Sequence, residues 1–175
     1  MSQDINTTSR KTGKIMSLIA WLIGIVLLTQ FFAAREEQAF NPNANFYSIS
    51  DTQRAEIVLQ QNKLGHYIVR GSVNSIPANF LLDTGASDVV IPAELSNTYK
   101  LKGIGFSQGI TANGTVVVEQ TIIEELSIGS INLYNVRASI NPGMSSSQPI
   151  LLGMSALKRL ELKQKNSLLT ITQIH

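Results

Sequence analysis

Cysteine is absent from the 175 residues, which excludes disulfides, thiol nucleophiles and cysteine-ligated metals. Histidine is nearly absent: His66 and His175 are the whole supply, and neither belongs to a cluster with metal-ligand spacing. A lone His beside Tyr67 on an extended run reads as a packed or half-exposed residue. Excess charge is also lacking. From Phe40 onward ten Lys/Arg stand against nine Asp/Glu, a net of +1, so the pI near 9.0 comes from the head of the chain and no nucleic-acid-binding patch is visible. Between Ile15 and Ala34 charge is missing altogether, over 20 consecutive residues. As a helix that run measures about 30 Å, the thickness of a bilayer's hydrocarbon core, so residues 15–34 are expected to cross a lipid bilayer. Arg10, Lys11 and Lys14 precede it with only Asp4 opposing them, whereas Arg35-Glu36-Glu37 follows. The basic flank predicts a cytoplasmic N-terminus over 1–14 and a single pass through the inner (cytoplasmic) membrane, with the C-terminal domain in the periplasm or outside. A cleaved signal peptide fits less well, because cleavage after Ala34 would place Phe32 at the −3 position, where a small residue is needed.

Beyond the apolar run, residues 35–62 lack sustained periodicity, and Asn41-Pro42-Asn43-Ala44-Asn45 has the composition of a linker. Within it, Ala55, Val58 and Leu59 are helically spaced and predict a short helix over 51–62. Residues 63–175 alternate short β-rich runs with turn signals: 67–73, 78–82, 89–91, 116–118, 121–126, 130–136 folded back through Gly129-Ser130, and 150–152. That spacing predicts an all-β domain, a small closed or partly open barrel with one short helix near its C-terminus. Lys163 to Ser167, between Leu162 and Leu168, predicts a terminal hairpin.

Chemistry concentrates at Asp83-Thr84-Gly85-Ala86, directly behind the apolar run Phe80-Leu81-Leu82. A buried strand here delivers one carboxylate into a tight turn, and Gly85 permits close backbone approach. Hydrolysis of a peptide bond without a metal or covalent intermediate needs a base for water and an acid for the departing group. Two carboxylates sharing one proton supply both. The chain carries only one Asp-Thr-Gly, so a second carboxylate has to come from a second copy, with Asp83 of each protomer meeting at a two-fold axis.

A second landmark, Pro149-Ile150-Leu151-Leu152-Gly153, repeats the design of an apolar strand ending in Gly, and Met154, Leu157 and Leu160 follow at helical spacing. With His66 to Asn74, Phe80 to Ile91, Thr111-Ala112-Asn113-Gly114 and Ile150 to Leu160 in this order, the chain resembles the retropepsin-like aspartic proteases, more closely their bacterial membrane-anchored, single-domain members. The resemblance implies an acid-protease β-barrel and an aspartic endopeptidase that acts on peptide or protein substrates as a homodimer without a cofactor. It implies Asp83 as the catalytic carboxylate, Thr84 as the residue locking two active-site loops together, and Gly85 with Ala86 as the rest of that supporting loop. Thr111, Ala112, Asn113 and Gly114 match a substrate-covering flap, with Asn-Gly as a hairpin turn. Leu152 and Gly153 mark the second apolar-Gly landmark. Viral members place an ion pair beneath the dimer interface where this chain has Ser87 and Met154.

Two other readings compete. The same barrel could serve as a non-catalytic, membrane-tethered peptide-binding module. Ser155-Ala156-Leu157-Lys158 has the Ser-x-x-Lys form of penicillin-interacting enzymes, but Lys11-Thr12-Gly13 lies ahead of the apolar run, on the opposite side of the bilayer from the domain.

Overall fold

The computed structural model describes residues 4–51, 53–111 and 114–174, which form two compact units, Met1–Ala39 and Phe40–His175. The first is carried by helix α1 (Asp4–Phe40), whose stretch Gly13–Phe32 is long and apolar enough to cross a membrane. Its apolar side chains are exposed around the whole circumference, and the Arg35 guanidinium lies over the Phe31 ring at 5.1 Å.

The second unit contains eleven strands among the described residues. The first two are β1 (Tyr47–Ser50) and β2 (Arg54–Gln60); a hairpin of β3 (Ile68–Val73) and β4 (Ile76–Leu82) follows, then β5 (Val89–Pro92). Next come β6 (Gly105–Thr111), β7 (Gly114–Ile128), β8 (Ile131–Asn141) and β9 (Ile150–Leu152). Helix α2 (Met154–Leu157) precedes the closing hairpin of β10 (Glu161–Lys165) and β11 (Leu168–Ile174). Seven strands order as β3-β4-β9-β5-β8-β7-β6, and β3 pairs a second time, with β7. That extra pairing, Ser72 with Ser127 and Val73 with Leu126, closes six strands into a barrel and leaves β6 attached to the outer half of β7. Closure requires close backbone approach at Gly71, where a Cβ would stand 2.2 Å from the Ser127 carbonyl oxygen. The fold is therefore the expected all-β barrel with a short C-terminal helix.

The segment 51–62 is a correction. Where helical spacing of Ala55, Val58 and Leu59 pointed to a helix, the chain forms β2, with Ala55, Ile57 and Leu59 alternating into the core and Glu56 and Val58 facing outward. The β-branched pair Ile57-Val58 and two strand partners decide it, since β2 is sandwiched between β1 and β11 in a four-stranded antiparallel sheet. The Asn-rich stretch before it is likewise built into the domain. Buried Asn43 accepts from the Gln60 amide and donates through Nδ2 to the carbonyls of Gln60 and Ile68, replacing ladder partners where β2 and β3 part. The inner faces of β2 and β11 join the barrel interior in one core with Phe80, Ile91, Ile123, Leu126 and Leu152.

Candidate active site

The strand order explains the site. β4 and β9 run parallel and end together at Leu82 and Leu152, while β5 lies antiparallel on the far side of β9. The chain from β4 to β5 must therefore cross over the end of β9, and the crossing is the loop Asp83 to Asp88. Gly153 passes beneath it so closely that a Cβ there would lie 2.1 Å from the Asp88 carbonyl oxygen and 2.7 Å from that of Ala86. Only a residue without a side chain fits.

Backbone bonds hold the loop down. The Asp83 amide donates to the Leu152 carbonyl at 3.1 Å, extending the β4–β9 ladder by one residue, and the Met154 and Ser155 amides donate to the carbonyls of Ala86 (2.8 Å) and Ser87 (2.9 Å). The Gly85 amide donates to Asp83 Oδ1 at 2.9 Å, so the carboxylate is oriented by its own loop. Asp83 is half-buried, and Thr84 and Gly85 are exposed. Asp83, Gly85 and Ala86 line a cleft of about 770 Å³, whose opposite wall is the β6–β7 hairpin, with Ser107 and Gly109 on one strand and Val116 and Val118 on the other. A second cavity of about 450 Å³ continues from it, sharing Val116, Asn141 and Leu151 and reaching Gly114 and Met144. A third, of about 490 Å³, shares Gln148 and Pro149 with the second and includes Arg70 and Tyr99, whose hydroxyl is pushed up from its ordinary pKa of 10.0 by burial.

The structure brings Asp83, Gly85 and Ala86 together with the hairpin that the sequence marks at residues 111–114. At its tip Thr111 pairs with Gly114, while Ala112 and Asn113 lie outside the described residues. The cleft wall itself comes from residues before and after the turn, because alternation along β6 and β7 points Ser107, Gly109, Val116 and Val118 inward. Leu152 and Gly153 serve as the platform under the loop.

Two contributions escaped sequence reasoning. Arg137 of β8 donates from Nε to Asp88 Oδ1 at 2.7 Å, an ion pair anchoring the end of the crossing loop, with the Asp88 side chain only 17% exposed. It stands one residue beyond Ser87, where viral members place an acid, and its partner comes from a strand 49 residues away. Buried Ser155 donates from Oγ to the Arg137 carbonyl at 2.6 Å and accepts from the Val89 amide at 3.1 Å. Its hydroxyl is thus spent on structure, and Lys158 is exposed, which removes the geometry a Ser-Lys nucleophile needs. The periodic spacing of Met154, Leu157 and Leu160 signalled the helix but carried no sign of this tie.

Comparison with known proteins accords with this geometry. An uncharacterized protein encoded in the cobV 5' region of a Sinorhizobium species is 32% identical over 120 residues, covering 66% of this chain and 51% of that protein. An uncharacterized protein of Rickettsia prowazekii (strain Madrid E) is 28% identical over 113 residues, covering 63% of this chain and 48% of the relative. The chain thus spans about half the length of these relatives. Among solved structures, a retropepsin-like aspartic protease from Rickettsia conorii superposes with a TM-score of 0.56 at 22% identity, over 72% of this chain and 98% of that one, and so shares the fold. Residues 69–159 match the family described as "gag-polyprotein putative aspartyl protease", a stretch running from β3 past α2 and including the Asp83 loop, the hairpin and the Gly153 platform. With more than half of its length matched and the fold in place, the chain belongs to the gag-polyprotein aspartyl protease family, the retropepsin-like aspartic proteases.

Proposed function

We propose that this chain is a membrane-anchored aspartic endopeptidase, which hydrolyses peptide bonds with a water activated by an Asp83 dyad formed across a homodimer. The observation that carries the reading is the position of the Asp83 carboxylate, on a braced loop at the floor of a cleft walled by a β-hairpin. Each protomer supplies one carboxylate, and exposed Thr84 beside it is free to meet its counterpart across the two-fold axis. With one proton shared, one carboxylate takes a proton from water while the other protonates the departing nitrogen. An extended peptide in the cleft finds backbone partners along the hairpin, and hairpin closure expels water from the carboxylates.

Anchoring rests on α1. A helix whose exposed apolar side chains, from Ile15 to Phe32, point to every side has no face suited to water. Arg10, Lys11 and Lys14 ahead of it favour a cytoplasmic N-terminus in the inner membrane of a bacterium, with residues 40–175 in the periplasm or outside. Residues 1–14 and 15–34 then divide as cytoplasmic head and membrane span, residues 35–39 lead out of the span, and residues 40–175 form the protease domain, β1 and β2 included. The full-length protein in detergent is expected to cleave peptides, and Asp83→Asn is expected to lower the rate at least about a thousandfold, because an amide cannot act as base. Cleavage retained by a folded Asp83→Asn preparation would refute the mechanism.

A further inference from the structure

The end of the domain that receives the chain from α1 is built around buried Asn62. Its Nδ2 donates to the Phe40 carbonyl at 3.0 Å, and its Oδ1 accepts the amides of Leu64 (3.0 Å) and His66 (2.9 Å). The turn so formed displays Lys63 and Leu64, and Leu64 is 72% exposed although aliphatic. Beside it, the Gln61 amide donates to the Ser167 carbonyl at 2.8 Å, which holds the tip of the β10–β11 hairpin against the same turn. Lys165, Leu168 and Gln60 lie side by side across three strands there, with Leu168 45% exposed. Phe40 itself is 46% exposed. One small area thus gathers exposed apolar side chains and two lysines around the first residue of the domain.

We propose that this area is a foot that rests on the lipid surface, with Leu64 and Leu168 entering the interfacial layer and Lys63 and Lys165 pairing with anionic headgroups. The inference rests on the membrane-anchored reading above. Its occupant follows from the covalent link: Phe40 stands eight residue steps of α1 beyond Phe32, the end of the apolar span, about 12 Å along the helix. Headgroups of a 40–45 Å bilayer extend roughly 5 to 8 Å beyond the hydrocarbon, so the surface reached first is lipid. Glu36 and Glu37 on the link oppose anionic lipid, which leaves the attraction to the lysines, each contributing on the order of a fivefold preference at such a surface.

The absence of cysteine makes the test clean, since a single introduced thiol takes all of the label. The full chain carrying Leu64→Cys with a polarity-sensitive fluorophore is reconstituted into phosphatidylcholine vesicles with or without 30% phosphatidylglycerol, together with a lipid bearing a quencher at the interface. Gln53→Cys, exposed at the other end of β2 about 20 Å away, is the control. Quenching at position 64 but not 53, stronger with phosphatidylglycerol and reduced on the order of tenfold by Lys63→Glu with Lys165→Glu, is the expected result. An unquenched label at 64 in protein that resists alkaline carbonate extraction overturns the foot and leaves the anchor standing. Protein extracted by carbonate overturns the anchor and the foot with it. Shielding that follows protein density rather than lipid composition assigns the area to a second copy and also overturns the proposal.

Discussion

At the scale of single residues the site depends on what Gly153 does not have. A methyl group there would overlap the Asp88 and Ala86 carbonyl oxygens, and both belong to the loop that carries Asp83, so any relief has to move that loop. Gly153→Ala is therefore expected to cost about 3 kcal/mol or more of stability and to misplace the carboxylate, read as a lowered denaturation midpoint together with lost cleavage. A variant of wild-type stability and rate would show that the crossing is looser than described. Tyr67 offers the opposite case. Its hydroxyl is buried without a hydrogen-bond partner among the described residues, so Tyr67→Phe removes a desolvated polar atom and is expected to be neutral or to stabilise by about 1 kcal/mol in the same assay.

At the scale of elements, α2 works as a strap although it is only one turn long. Ser155 joins it to β5 and β8 at once, and its deletion would orphan the buried Val89 amide and the Arg137 carbonyl. Ser155→Ala is expected to destabilise by about 1–3 kcal/mol, a drop of several degrees in Tm, while cleavage persists well below the melting range. Complete loss of cleavage in folded protein would instead revive a serine nucleophile. The strands show how far local pattern reached. Asn-Gly with flanking β-rich runs marked the hairpin, although β7 proves to be one strand of 15 residues serving β6 with its first half and β8 with its second. In β2 the local pattern misled, since Ala55, Val58 and Leu59 suit a helix as well as Ala55, Ile57 and Leu59 suit a strand, and only the partners on either side distinguish them.

At the scale of the whole molecule, the proposed mechanism makes assembly part of catalysis, because the chain carries a single Asp-Thr-Gly. Mixing wild-type protein with an equal amount of Asp83→Asn and allowing exchange is expected to give about one quarter of the activity of the same total amount of wild-type protein, because only dimers with two carboxylates work. Half of the activity would indicate sites complete within one protomer. The C-terminal hairpin bears on the same question: β11 pairs with β2 of its own chain, so β2 and β11 have both of their edges paired within the protomer. The outer edges of that sheet are β1 and β10, and on the dimer reading proposed above, confinement to a membrane surface would strengthen association of the protomers.

The sequence alone determined whatever depends on neighbours along the chain: the uncharged run able to cross a bilayer, the strand that delivers Asp83 into a Gly turn, the Asn-Gly hairpin and the second apolar strand ending at Gly153. These are local because hydropathy, turn geometry and backbone freedom are read within a few residues. Tertiary structure decided what depends on meetings between distant segments. The loop of Asp83 crosses β9 only because β9 inserts between β4 and β5, Arg137 reaches Asp88 from another strand, Asn43 completes ladders 17 and 25 residues away, and Asn62 ties down Phe40. Each is a polar or steric demand created by burial, and burial is a property of the folded chain rather than of any segment in it.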